Sequence, residues 1–281
     1  MLPAFSILMG AVLWGLLGPI SKFAFQAGLG PLEVAFWRGA IGGLLFALHG
    51  LLSGSFRVER RYWLSMIGFG IFGVALLEGS NLLAVRDGGA AFASILLYSA
   101  TCWVALFSHF IFGEKISRKK WIAIFITLSG VTGVALGGGE HSLHFSVMAV
   151  TWGILSGLSY ALFYIYGKFF FRTHSPQTLY MYAFPIGSLA LSPFVDRHVL
   201  LSQSGTAWGT LLFLGVASTY LAYLFYSWGL KRMEPTRASI LASFEPVVAT
   251  FSSWVIWGEK LAPFGYFSAI LVFIGISLMI L

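Results

Sequence analysis

The chain has 281 residues, of which 58% are hydrophobic and 10% charged, where an average soluble domain carries roughly 25% charged residues. With a mean hydropathy of +0.86, an ordinary soluble protein, a disordered chain and a fibrous repeat are all excluded. In a chain this apolar the net charge of +7 is first a topology signal, so the lipid bilayer is an expected partner and nucleic acid is not.

The expected fold is all-α, a polytopic membrane protein with ten transmembrane helices, since a span needs about 20 apolar residues. Apolar runs of that length lie at 3–26, 31–53, 63–84, 88–111, 119–137, 147–169, 176–195, 206–228, 235–257 and 263–281. The first run lacks a basic leader and is too long for a cleaved signal peptide, so it reads as a span. Pro3, Pro31, Pro176, Pro235 and Pro263 mark helix starts, where a missing N–H costs nothing. Pro19, Pro185, Pro193 and Pro246 fall inside spans and free backbone carbonyls there.

The second, fourth, sixth and eighth loops hold about twelve Lys and Arg, against four in the odd-numbered loops. That bias places the even loops and both termini in the cytoplasm. Cys102 is the single cysteine, which leaves no disulfide framework or CxxC pair, and no cofactor is expected.

Ala93-Ser94-Ile95-Leu96 through Gly113-Glu114-Lys115 recurs 145 positions later as Ala238-Ser239-Ile240-Leu241 through Gly258-Glu259-Lys260, with nine identities in twenty-three positions. Ala11 to Leu17, with Trp14-Gly15, likewise matches Ala149 to Leu155, with Trp152-Gly153. The chain therefore divides into a five-helix half at 1–137, a joint at 138–146 and a second half at 147–281. Five is odd, so the second half enters the membrane from the opposite side. Such inverted repeats place substrate near the midplane between the halves.

Glu78 and Glu245 lie within spans, where a carboxylate is functional by default; Glu245 can instead staple helices, and Glu78 can be solvated near the outer end of its span. The fourth span carries Ser94, Tyr98, Thr101, Ala105 and Ser108 on one face, and the ninth carries Ser239, Ser243, Pro246, Thr250 and Ser253. Either stripe serves close helix packing or a polar cavity. Glu78 and Asn81 correspond to Tyr223 and Tyr226 across the repeat. Trp14 and Trp152 are matched tryptophans deep in their spans, and Ser156 and Ser159 share the face of Trp152 with Tyr160 beside it. Lys22 and Arg38 can receive a substrate carboxylate, although Lys22 can snorkel outward and Arg38 can pair with Glu33. The candidate substrate-binding set is thus Trp14, Glu78, Asn81, Tyr98, Thr101, Trp152, Ser156, Tyr160, Tyr223, Ser243 and Glu245, with no catalytic residue and no metal ligand.

Several motifs carry no chemistry. Gly68-Phe69-Gly70-Ile71-Phe72-Gly73 lacks the strand-turn-helix context of a dinucleotide site and reads as a packing face, as does Gly153-Ile154-Leu155-Ser156-Gly157. The six histidines show no metal spacing, with His141 and His144 placed in a solvated loop. There is no Walker A sequence, which excludes ATP-driven pumping by this chain. A lipid-acting enzyme is disfavoured because paired intramembrane carboxylates, a metal cluster and an activated nucleophile are all missing.

The ten spans in two halves, the Trp-Gly openings and the paired Gly-Glu-Lys endings resemble the drug/metabolite transporter superfamily in its EamA-type branch. Within it the chain is most similar to bacterial exporters of aromatic amino acids. The resemblance implies export of a small-molecule substrate, an amino acid or similar metabolite, across a bacterial inner membrane by alternating access. It also implies a central cavity supplied by the first, third, fourth, sixth, eighth and ninth spans, with structural Gly-Glu-Lys endings. Glu245 or Glu78 then receives the ammonium of an amino acid, and Asn81, Tyr98 or Thr101 its carboxylate. Trp14, Trp152, Tyr160 and Tyr223 offer stacking surface. A multidrug or nucleoside exporter of the same fold is the competing reading. Oligomeric state stays open, a monomer being compatible with it.

Overall fold

The computed structural model describes residues 1–137, 146–196 and 204–280. The joint expected at 138–146 therefore lies, apart from Ser146, outside the described residues, as do His141, His144 and His198. The described residues form helices, in chain order α1 (Leu2–Gly15), α2 (Leu17–Gln26), α3 (Pro31–Leu52), α4 (Arg60–Gly68), α5 (Leu76–Gly88), α6 (Ala90–Tyr98), α7 (Ala100–Phe112) and α8 (Arg118–Gly137). They continue with α9 (Val147–Phe170), α10 (Pro176–Leu191), α11 (Gly205–Phe213), α12 (Ala222–Arg232), α13 (Pro235–Ala242), α14 (Glu245–Trp257) and α15 (Pro263–Ile280). π-helical turns join α4 to α5 over Phe69–Ala75 and α11 to α12 over Leu214–Leu221.

Successive pieces run on as single rods, and among the described residues nine of these are long and apolar enough to cross a membrane. The seventh expected span differs. Its helix α10 has 16 residues and gives way to a short 3-10 turn at Ser192–Phe194. Pro193 has no N–H to return to the Leu189 carbonyl, which instead accepts from the Ser192 hydroxyl at 2.8 Å. Large apolar side chains such as Phe110, Phe125 and Phe267 point outward, a surface suited to acyl chains rather than water.

Local chemistry sets the helix ends. Proline opens α1, α3, α10, α13 and α14, and the Ser146, Ser175 and Ser204 hydroxyls accept the N–H of Ala149, Thr178 and Ala207. Gly113 and Gly258 close α7 and α14 at φ +69° and +70°, a left-handed conformation that only glycine adopts without strain. Interior prolines break two rods. Pro19 cannot donate to the Gly15 carbonyl, and α1 ends at Gly15; Pro246 cannot donate to that of Ala242, and α13 ends at Ala242. At Ser99 the break between α6 and α7 has no proline, but the Ser99 hydroxyl takes the Leu96 carbonyl at 2.6 Å.

The 145-residue spacing recurs in local conformation. The π turns begin at Phe69 and Leu214, the helix breaks fall at Ser99 and at Ser243–Phe244, and the left-handed glycines are Gly113 and Gly258. The strongest packing pairs α8 with α15, α3 with α10, α5 with α9 and α1 with α12. Gly157 of α9 lets that helix close on the fourth rod: a Cβ there would stand 2.7 Å from the Leu96 carbonyl oxygen. The GxxxG at 153–157 is thus a close-approach face.

The two ends of the bundle are tied differently. At the end where Pro3 meets Gly229, Lys120 bridges Glu114 at 2.9 Å and Glu234 at 2.7 Å. Beside it the Lys168 ammonium donates to the Leu230, Lys231 and Met233 carbonyls. At the opposite end Lys22 pairs with Glu259, and the Trp257 indole donates to the Pro19 carbonyl at 2.9 Å. Each Gly-Glu-Lys ending therefore engages through its glutamate.

Candidate functional site

The helix breaks build the centre of the molecule. Ending α13 at Ala242 and restarting the chain as α14 puts Glu245 in a first helical turn, where free N–H groups and the helix dipole favour a carboxylate. Tyr98 is the last residue of α6, and its hydroxyl and that of Tyr160 on α9 face the Glu245 carboxylate. The first break places Trp14 at the end of α1 and Leu17 at the start of α2, and both line the same space. The π turn before α5 precedes Glu78 and Asn81, and the one before α12 precedes Tyr223. An extra residue per turn re-aims whatever follows it.

These elements enclose an inner cavity of about 120 Å³ lined by Trp14, Leu17, Arg38, Leu77, Glu78, Asn81, Leu97, Tyr160, Tyr223 and Glu245. Arg38 is 8% exposed and holds the Glu78 carboxylate at 3.0 Å. Trp14 stands edge-on to Tyr223 at 5.0 Å and tilted against Tyr226 at 5.2 Å. Trp14, Leu17, Asn81, Leu97 and Glu245 also line a wider vestibule of about 960 Å³, which runs out past Ser94 and Thr250 to Lys22, Gly89, Glu259 and Lys260. The opening is thus at the Lys22–Glu259 end. Toward the Lys120 end, Tyr164, Tyr180 and Tyr226 are buried and pack edge to face through Tyr223 and Tyr226 into an aromatic plug.

Seven of the eleven expected residues come together here: Trp14, Glu78, Asn81, Tyr98, Tyr160, Tyr223 and Glu245. The others stand elsewhere. Thr101 is buried within the bundle, the Ser156 hydroxyl turns back to the Gly153 carbonyl at 2.7 Å, and that of Ser243 to the Ser239 carbonyl at 3.0 Å. Trp152 lines a separate, almost wholly apolar pocket with Phe72, Leu76, Leu83 and Phe194. Replacing Trp152 by Ala is accordingly expected to change the binding of an aromatic solute in the central cavity by less than about twofold, whereas Trp14→Leu weakens it about tenfold, as direct loss of an aromatic contact requires. Equilibrium dialysis of the purified protein measures both.

Arg38 lies outside the expected set. Its signal is a charge inside a span, for which the sequence offers a substrate carboxylate or Glu33 as partner. The structure gives it to Glu78, while Glu33 accepts the backbone N–H of Asp196 at 3.1 Å. The second span thereby joins the six implied by the resemblance.

Membrane-length helices around a polar cavity that is open at one end and plugged at the other define a membrane transporter. Residues 1–136 and 147–281 match the EamA-like transporter family, and the chain belongs to it. An uncharacterized transporter of Archaeoglobus fulgidus is 29% identical over 91% of this chain and 88% of its own. The uncharacterized transporter YwfM of Bacillus subtilis is 24% identical over 96% of this chain and 90% of its own. In Salmonella typhimurium the uncharacterized inner membrane transporter YicL is 24% identical over 90% of this chain and 86% of its own. A solved crystal structure superposes with a TM-score of 0.83 at 17% identity, covering 98% of this chain and 95% of that one, and shares the fold. The protein is a multi-pass membrane transporter rather than an enzyme.

Proposed function

We propose that the protein exports small metabolites, aromatic and other neutral amino acids among them, across the bacterial inner membrane by alternating access around the central cavity. The observation that carries this reading is the meeting of Glu245 with the aromatic walls of Trp14, Tyr160 and Tyr223. A carboxylate at the helix break receives an ammonium group, and the rings receive an apolar side chain. The two five-helix halves are inverted repeats in this account, and the exchange of like packing pairs between them supports it. With the basic loops and both termini in the cytoplasm, the open vestibule faces outward and the aromatic plug faces the cytoplasm. The inner-membrane placement is also that of the Salmonella relative by its name.

Counterflow in proteoliposomes tests the proposal, using labelled phenylalanine, leucine and alanine beside one lipophilic cation and one nucleoside. Exchange of the amino acids is the expected result. Flux confined to the cation or the nucleoside would favour a multidrug or nucleoside exporter, and flux of no solute would overturn the substrate assignment.

A further inference from the structure

The charged residues that line the inner cavity are Arg38, Glu78 and Glu245. Two carboxylates and one guanidinium give it a net charge of −1 when all three are ionised. Arg38 is nearly buried and holds Glu78 at 3.0 Å, so this pair as a unit adds no net charge to the cavity. Glu245 is faced by the neutral hydroxyls of Tyr98 and Tyr160, and the charges of Arg38 and Glu78 reach it with opposite sign, so that Glu245 has no ion pair of its own among the described residues. Farther out, Lys22 is paired with Glu259, and Lys260 stands at the mouth.

We propose that Arg38 is a specificity-determining residue: by cancelling Glu78 it leaves the cavity one uncompensated carboxylate and restricts it to ligands that insert a single ammonium group. This deepens the reading of the cavity as the substrate site and names the class admitted, monoammonium compounds, of which neutral amino acids are one kind. A ligand with one ammonium brings the inner cavity to neutrality, and so does a neutral amino acid whose carboxylate stays in the vestibule, toward Lys260. A diamine overshoots to +1, and an unpaired charge in a confined, poorly hydrated site is costly. Without the guanidinium the count becomes −2, and the preference should pass to the dication.

Equilibrium dialysis of the purified full chain in nanodiscs tests this with phenethylamine, which carries one ammonium, and p-xylylenediamine, which carries two. The parent protein is expected to bind phenethylamine about tenfold more tightly or better, and Arg38→Gln to reverse the order. Adding Glu78→Gln to Arg38→Gln restores the count to −1 and is expected to restore the monoamine preference. If Arg38→Gln alone fails to fold, Glu78→Gln serves in its place: the count becomes 0, phenethylamine binding is expected to weaken about tenfold, and binding within twofold of the parent's would overturn the assignment. A preference within twofold of the parent's in folded Arg38→Gln would overturn the assignment, as would failure of the double variant to revert. Labelled phenylalanine in the same dialysis separates the two readings. Amines obeying the charge count while phenylalanine does not bind would overturn the amino-acid substrate and leave Arg38 in its role. Binding of none of the three to the parent would overturn both.

Discussion

Glu245→Gln is expected to weaken binding of phenylalanine about thirty-fold or more, the loss that follows when one member of a desolvated, hydrogen-bonded charge pair is removed. The substitution keeps the shape of the side chain and its capacity to accept from Tyr98 and Tyr160, so packing around the break at Ala242–Glu245 is preserved. What disappears is the charge that answers an ammonium. Glu245→Asp retains the charge one methylene farther from the cavity and is expected to fall between the two. Equilibrium dialysis against the labelled amino acid reads the effect directly. Affinity within threefold of the parent would remove Glu245 from the binding of substrate and shift the ammonium to Glu78.

The second large effect concerns stability. The Glu114 side chain is 2% exposed and that of Lys120 13%; one Glu114 carboxylate oxygen, Oε2, is buried without a hydrogen-bond partner. Lys168 cannot readily replace Lys120, since its ammonium is committed to three carbonyls at the end of α12. Lys120→Met is therefore expected to cost about 3–5 kcal/mol, the usual penalty for stranding a buried charge. Adding Glu114→Gln, which removes that charge, should recover more than half of the loss. Denaturant titration of the protein in micelles measures both, and a loss below about 1 kcal/mol would show that water reaches Glu114 once Lys120 is gone.

The same ion cluster marks how far the sequence could be read. Gly113-Glu114-Lys115 and Gly258-Glu259-Lys260 stood out as repeated endings, and their glycines cap helices as such glycines do. Their glutamates find lysines six residues ahead in one case and 237 residues back in the other. No local pattern specifies the second pairing. Arg38 is a parallel instance: its presence inside a span was visible, but its partner lies on another helix. The hydroxyl stripe of the fourth span is continuous along the sequence, yet the break at Ser99 leaves Ser94 and Tyr98 on the cavity and Thr101 in the bundle interior. The break has no proline to announce it.

Composition and apolar run length were enough to establish a helical membrane protein and where its spans begin, because hydrophobic length and proline placement act locally along the chain. The 145-residue repeat was legible for the same reason, being a comparison of sequence with itself. Which polar side chains share one space depended on helix breaks, π turns and close approaches between segments distant in sequence. Trp14 and Trp152 show the difference most plainly. They are matched by sequence, yet one lines the central cavity and the other an apolar pocket on another face of α5, because the packing of neighbouring helices, and not the residue itself, decides what each indole faces.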